Sequence, residues 1–330
     1  MKLAACKFRK TALWPAYLTL CGVVLFVGCS KYERDNPFDA HGTNWSPWTA
    51  RNSGLPPAIH VWSFAVNGTN LFAGTYDYGV YLSADNGASW TPVNNGLPST
   101  TVYALMMNGT NLFAGTYGDG IYLSTNNGTT WTQVDSGLTD LYIYALAASG
   151  TNIFAGTHYD GIFRSTDNGT MWTAVNNGLT TTEVMSLAVN GTNLFAGTYG
   201  GGVFLSTNNG ASWTEANNGL TDYYVYSLAA SGTNVFAGTN GSGVFLSTNN
   251  GASWIAVDNG LTNLTVNALE VRGTDLFAGT DGGVFLSTDN GASWTPADNG
   301  LTDSTVLSLK VSGTNLFAGT SSGVFRTPLP

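Results

Sequence analysis

Ser206-Thr207-Asn208-Asn209-Gly210-Ala211-Ser212-Trp213 decides the architecture, because the chain repeats it. Six copies of the form Ser-x-(Asp/Asn)-x-Gly-x-x-Trp run Ser83–Trp90, Ser124–Trp131, Ser165–Trp172, Ser206–Trp213, Ser247–Trp254 and Ser287–Trp294. Their tryptophans are spaced by 41, 41, 41, 41 and 40 residues, enough for one four-stranded sheet and too little for an independent domain. Within one period, Val102 to Met107 reads as a strand, Asn108-Gly109-Thr110-Asn111 as a hairpin turn, and Leu112 to Tyr117 as a second strand. Ile121 to Thr125 and Thr130 to Val134 supply the third and fourth. Four short strands with Gly and Asn turns make one propeller blade.

Phe-Ala-Gly-Thr recurs at 72, 113, 154, 195, 236, 277 and 317, so there are seven blades, one more than the complete Ser-to-Trp segments. The extra piece lies near the amino terminus. Trp48-Thr49-Ala50-Arg51-Asn52-Ser53-Gly54-Leu55 matches Trp90-Thr91-Pro92-Val93-Asn94-Asn95-Gly96-Leu97, while Gly323 to Thr327 is a third strand with no fourth behind it. The expected fold is therefore an all-β, seven-bladed propeller of four-stranded antiparallel blades. A strand at roughly Ser46 to Arg51 pairs with the carboxy-terminal blade and closes the ring, which removes two free sheet edges.

The motif resembles the Asp-box, or BNR, repeat of sialidases, sortilin-type receptors, photosystem assembly factors and some xyloglucan hydrolases, all of them β-propellers; the likeness covers about 285 of the 330 residues. That family includes enzymes, receptors and scaffolds, so the resemblance implies a fold and no single function. Its boxes are structural turns away from the binding face. Each residue type here has such a role: Gly and the neighbouring Asn take positive φ, Asp or Asn accepts from backbone N–H groups, and Trp buries a large apolar surface. The box residues are Asp85 with Trp90, Asn126 with Trp131, Asp167 with Trp172, Asn208 with Trp213, Asn249 with Trp254, and Asp289 with Trp294. A calcium loop needs successive oxygen ligands that this spacing lacks, and three of the six copies carry neutral Asn. No metal site and no cofactor are expected.

The first 28 residues read as a secretory signal: Lys2, Lys7, Arg9 and Lys10, an apolar run from Ala12 to Val27, then Phe26-Val27-Gly28-Cys29. The last four resemble a bacterial lipoprotein cleavage box with Phe where Leu is usual, which implies lipidation of Cys29. An uncleaved anchor helix is the alternative, though the apolar run is interrupted by Pro15 and short for a span. Cys6, Cys21 and Cys29 are the only cysteines, so no disulfide framework is available after cleavage. Residues 29–44 read as a lipid-anchored tether and 45–330 as the propeller. The expected location is extracytoplasmic, on the outer membrane or cell surface, with a membrane contact only through the anchor.

The full chain carries −9, and loss of the four basic signal residues leaves 7 basic against 20 acidic. That balance excludes a general nucleic-acid binder. Charged residues are only 9% of the chain, so Asn, Thr, Ser, Gly and Tyr must form much of the surface. Near-identical blades cannot build an asymmetric site, so a site belongs where the repeats differ. The loops after Phe-Ala-Gly-Thr read Tyr76-Asp77-Tyr78, Tyr117-Gly118-Asp119, His158-Tyr159-Asp160 and Tyr199-Gly200-Gly201 in the first four blades. The inter-blade loops, which by resemblance share the ligand-binding face, add His60, Tyr142, Glu183, Tyr223 and Tyr224.

Rings beside carboxylates suit a sugar or protein surface, since rings stack and Asp accepts from hydroxyls. Tyr76, Tyr78, Tyr117, Tyr142, His158, Tyr159, Tyr199, Tyr223 and Tyr224 are the candidate binding residues; packing of each ring against its own loop is the competing reading. Trp62, Tyr103, Tyr144, Met185, Tyr226, Asn267 and Leu307 share one position in the first strand and are expected in the core between blades. The sialidase resemblance would require converging arginines, and Arg51, Arg164, Arg272 and Arg326 fall on separate strands, which disfavours that activity. A hydrolase of neutral polysaccharides needs just two carboxylates, for which Asp77, Asp119 and Asp160 are the candidates. The expected function is a monomeric, non-enzymatic envelope module that binds a glycan or an envelope protein, with that hydrolase as the alternative.

Overall fold

The computed structural model describes residues 45–98 and 100–329; the expected signal, Cys29 and the expected tether lie outside them. Seven four-stranded antiparallel sheets follow one another along the chain. Blade one is built from Val61–Asn67, Asn70–Thr75, Val80–Ser83 and Thr91–Pro92, and blade two from Val102–Asn108, Asn111–Thr116, Ile121–Ser124 and Thr132–Gln133. Blades three to six repeat this plan over 143–174, 184–215, 225–256 and 266–296. Blade seven takes its first three strands from Val306–Ser312, Asn315–Thr320 and Gly323–Pro328 and its fourth from Thr49–Ala50. Thr49 pairs with Arg326 and Ala50 with Phe325, so the ring closes as the repeat count requires. The fourth strands are two residues long, shorter than Thr130 to Val134 suggested, and most of their residues are exposed.

The repeat's composition follows from position in the blade. First strands of successive blades contact one another and ring the axis. The second strand is covered on both faces by neighbouring blades, which is why Leu112-Phe113-Ala114-Gly115-Thr116 is buried throughout, without alternation. Its glycine is dictated by close approach: a Cβ on Gly115 would lie 2.6 Å from Cγ2 of Ile143 in the next blade. Each hydrophobic cluster accordingly joins two blades. Phe113 and Ile121 of blade two pack with Ile143, Ile153, Phe163 and Trp172 of blade three, and Trp48 joins the cluster between blades six and seven.

The Ser-to-Trp segment is a closed polar turn. In blade two, Asn126 Oδ1 accepts from Ser124 Oγ at 2.9 Å and from Thr130 N at 2.9 Å, while Gly128 N donates to Ser124 Oγ at 2.8 Å. Asn127 and Gly128 both have positive φ, 55° and 81°. The tryptophan does more than bury surface. Trp131 Nε1 donates to Val93 O of the preceding blade at 2.7 Å, and Trp90, Trp172, Trp213, Trp254 and Trp294 repeat the bond to Arg51, Val134, Val175, Ala216 and Val257. Trp48 completes the set by donating to Ala297 O at 2.6 Å. Seven indoles thus latch each blade to the one before it.

Candidate functional site

The loops joining second to third strands and those joining blades emerge on one face. They are lashed together: Tyr76 N donates to His60 O at 3.0 Å, Tyr117 N to Thr101 O at 2.9 Å, His158 N to Tyr142 O at 3.0 Å, and Tyr199 N to Glu183 O at 3.0 Å. The hairpin and Ser-to-Trp turns lie together on the opposite side, where Asn67 Nδ2 reaches Asn127 Oδ1 at 2.7 Å.

Across blades one to three the aromatic side chains form one continuous network. His60 lies 5.7 Å from Tyr76 and 6.3 Å from Trp62; Trp62 is 5.1 Å from Tyr103, which is 5.6 Å from Tyr117 and 5.1 Å from Tyr144. Tyr117 is 4.7 Å from Tyr142, which reaches Tyr159 at 5.9 Å, and His158 contacts Tyr144 at 5.1 Å and Tyr159 at 3.9 Å. A smaller group in blades four and five joins Tyr199 to Tyr224 at 4.6 Å and to Tyr226 at 6.5 Å. Tyr78 and Tyr223 are exposed, 46% and 47%, and join neither group. Tyr117 and Tyr159 keep 48% and 61% of their surface accessible, so the rings are not consumed by packing on their own loops.

The first-strand position held by Trp62, Tyr103 and Tyr144 differs from expectation. In every blade the pairing slips there, as between Val102↔Thr116 and Ala104↔Gly115, leaving the intervening residue as a β-bulge. All seven residues are only partly buried. The bulge turns Trp62, Tyr103 and Tyr144 out of the inter-blade core and into the aromatic network. Burial, followed by neighbouring phenols, raises the pKa of Tyr103, Tyr144 and Tyr226, so these hydroxyls stay protonated donors. In blade six Asn267 Nδ2 instead donates to Asp281 Oδ1 at 2.9 Å and to Val306 O at 3.1 Å.

A positioning carboxylate escaped the sequence reading. Asp140 is buried, 5% exposed, and its two oxygens accept from Tyr142 N at 2.9 Å and Tyr159 N at 2.6 Å. It fixes both loops that carry rings. Asp222 does the same for Tyr224 N and Gly241 N, and Asp303 for Thr305 N and Ser321 Oγ. The signal was the recurrent Gly-Leu-Thr-Asp of the inter-blade loops, at 137–140, 219–222 and 300–303.

Asp119 and Asp160 occupy equivalent loop positions and donate their N–H groups to Thr116 Oγ1 and Thr157 Oγ1 at 3.1 Å. Asp160 Oδ2 also accepts from Thr139 Oγ1. Asp77 stands one loop position earlier, with φ +61° and its N–H on Thr101 Oγ1. His158 Nδ1 lies 3.1 Å from Glu183 Oε1, a close polar contact without hydrogen-bond alignment. The carboxyl that burial pushes up is Asp298 in blade six, at the position where other blades use Asn52 or Asn94 to accept a backbone N–H. Arg164 and Arg326 donate Nη1 to Asn209 O and Asn86 O on the turns of the opposite side. A separate open groove between blades four and five, lined by Leu205, Glu215, Asn217 and Asn249, contains no aromatic ring.

The fold and this face define a seven-bladed β-propeller with an aromatic-rich loop face. No family model and no curated protein matches the chain. Among solved structures it is similar to the extracellular domain of BT4673 from B. thetaiotaomicron, with TM-score 0.73 and 17% identity over 86% of this chain and 40% of that one. YCF48 bound to D1 peptide matches with TM-score 0.71 and 14% identity over 87% and 98% of the two chains. The GH74 enzyme of Niastella koreensis matches with TM-score 0.58 and 20% identity over 82% and 43%. The chain thus spans about two fifths of the length of the BT4673 domain it resembles.

Proposed function

We propose that this protein is a non-catalytic, extracytoplasmic binding module, tethered by lipid at Cys29, that takes a glycan or an envelope protein on the aromatic face of blades one to three. The observation that carries this reading is the unbroken contact path from His60 to Tyr159, with its outer tyrosines exposed. Partly exposed rings supply stacking area at low conformational cost, and protonated phenols supply hydrogen-bond donors. Carboxylates Asp77, Asp119, Asp160 and Glu183 line the same loops, which disfavours anionic polymers and agrees with the acidic balance of the chain. Two similar structures, an extracellular domain and a propeller bound to a peptide, are compatible with such a role.

Glycan-array screening and affinity capture from envelope extracts test the reading, followed by Tyr76→Ala with Tyr117→Ala. Loss of about tenfold in affinity for any captured ligand is the expected result, as for removal of two stacking rings; unchanged affinity rules the face out. Hydrolysis of a neutral polysaccharide is the second reading, supported by Asp119 and Asp160 beside the rings and by the likeness to a GH74 enzyme. Turnover abolished by Asp77→Asn, Asp119→Asn or Asp160→Asn would move it to first place.

A further inference from the structure

Two of the four arginines of residues 45–330, dispersed in the sequence, meet at the joint that closes the ring. Arg326 pairs with Thr49, and Arg51 follows Thr49 by two residues, its N–H continuing the ladder to Val324 O at 2.7 Å. The pleat therefore sends both side chains to one face of the sheet as diagonal neighbours. No other blade has this pair: Arg51 stands where Val93, Val134 and Val175 occur, and Arg326 where Leu82 and Leu123 occur. Arg326 Nη1 is held by Asn86 O at 2.7 Å. The Nε of each arginine is buried without a hydrogen-bond partner, and among the described residues neither guanidinium has a carboxylate within ion-pair distance. Burial and then Arg51 lower the pKa of Arg326, although a guanidinium remains charged at any ordinary pH.

Adjacent like charges and buried unpaired donors are both destabilising. A tetrahedral oxyanion relieves the like-charge repulsion, because it offers enough acceptors for the outer nitrogens of two guanidiniums. We propose that Arg51 and Arg326 form a site for a phosphate- or sulfate-type group, which bridges the amino-terminal strand to blade seven and strengthens ring closure. The group can come from a free inorganic anion or from a phospholipid headgroup.

The experiment compares melting of the full chain with that of the Arg51→Val, Arg326→Leu double variant, in phosphate and in chloride at matched ionic strength. The variant restores residues found in other blades, so it retains the fold. Phosphate stabilises proteins generally by exclusion from their surface, so the informative quantity is a saturable shift present in the wild type and absent from the variant. About 4 °C is expected at a hundredfold excess over Kd. Equilibrium dialysis with labelled phosphate should give one site in the wild type, weakened by Arg51→Lys, which keeps the charge but loses the fork. Cosedimentation with phosphatidylglycerol vesicles, against phosphatidylcholine, separates the sources: arginine-dependent sedimentation assigns the headgroup, and a saturable phosphate shift without it assigns the free anion. Parallel phosphate dependence in wild type and variant, with no arginine-dependent sedimentation, overturns the site.

Discussion

Replacing Trp48 by alanine should loosen the ring at its joint. Trp48 is 4% exposed, packs in the cluster shared by blades six and seven, and donates Nε1 to Ala297 O at 2.6 Å. Truncating a buried tryptophan costs about 3–5 kcal/mol. Unfolding entropy of about 2.1 cal/mol/K per residue, over the compact unit Asn44–Pro330, gives about 0.6 kcal/mol/K. Trp48→Ala should therefore lower Tm by about 5–8 °C in calorimetry. Trp48→Phe keeps the ring but strands the Ala297 carbonyl, at about 1–3 kcal/mol, hence about 2–5 °C. Exposed Thr49→Ala serves as the control for an adjacent residue outside the core. A Trp48→Ala melt no lower than that of the control would refute the latch, and an unchanged melt after deletion of residues 45–55 would refute closure itself.

Asp140→Ala should leave Tyr142 N and Tyr159 N without an acceptor; faster hydrogen exchange at those two amides and weaker binding at the aromatic face are expected. The acid response should differ between blades. Hydrogen bonds from Ser89 and Ser83 hold Asp85 down to about 2, and the carboxyls of Asp167 and Asp289 are also lowered, whereas blades two, four and five carry Asn126, Asn208 and Asn249. A depressed folded-state pKa contributes stability above the unfolded value and loses it as pH falls. Exchange at the turns of blades one, three and six should thus rise selectively between about pH 4 and pH 2, and Asp85→Asn should flatten the response of blade one. Finally, Lys310 Nζ lies 2.8 Å from Glu270 Oε1, which also accepts from Val311 N at 3.0 Å; Lys310→Ala should lower Tm more than Lys310→Arg, since it leaves that partly buried carboxylate unpaired.

Blade number and closure were legible because both depend on identity between periods: Trp48-Thr49 repeats Trp90-Thr91, and a third strand without a fourth needs a partner. The aromatic loops were legible for the converse reason, as places where the periods diverge. What escaped depended on contacts between periods. Trp62, Tyr103 and Tyr144 read as core because alternation assumes regular register, and one slipped pair reverses the direction of a side chain. Asp140 escaped because its second acceptor bond reaches Tyr159, nineteen residues away across a blade boundary. Arg51 and Arg326 are neighbours only after the ring has closed.

The joint between Thr49–Ala50 and Gly323–Pro328 has a further consequence, because nothing in its pairing identifies which molecule contributes the strand. A ring whose amino-terminal strand is displaced exposes the free edge of Gly323–Pro328 and the Ala297 carbonyl, both complementary to the same strand of another copy. Concentrated protein under mildly destabilising conditions therefore has a route to strand-exchanged dimers that keep every blade native. The device that makes a circle of one chain is equally able to link two.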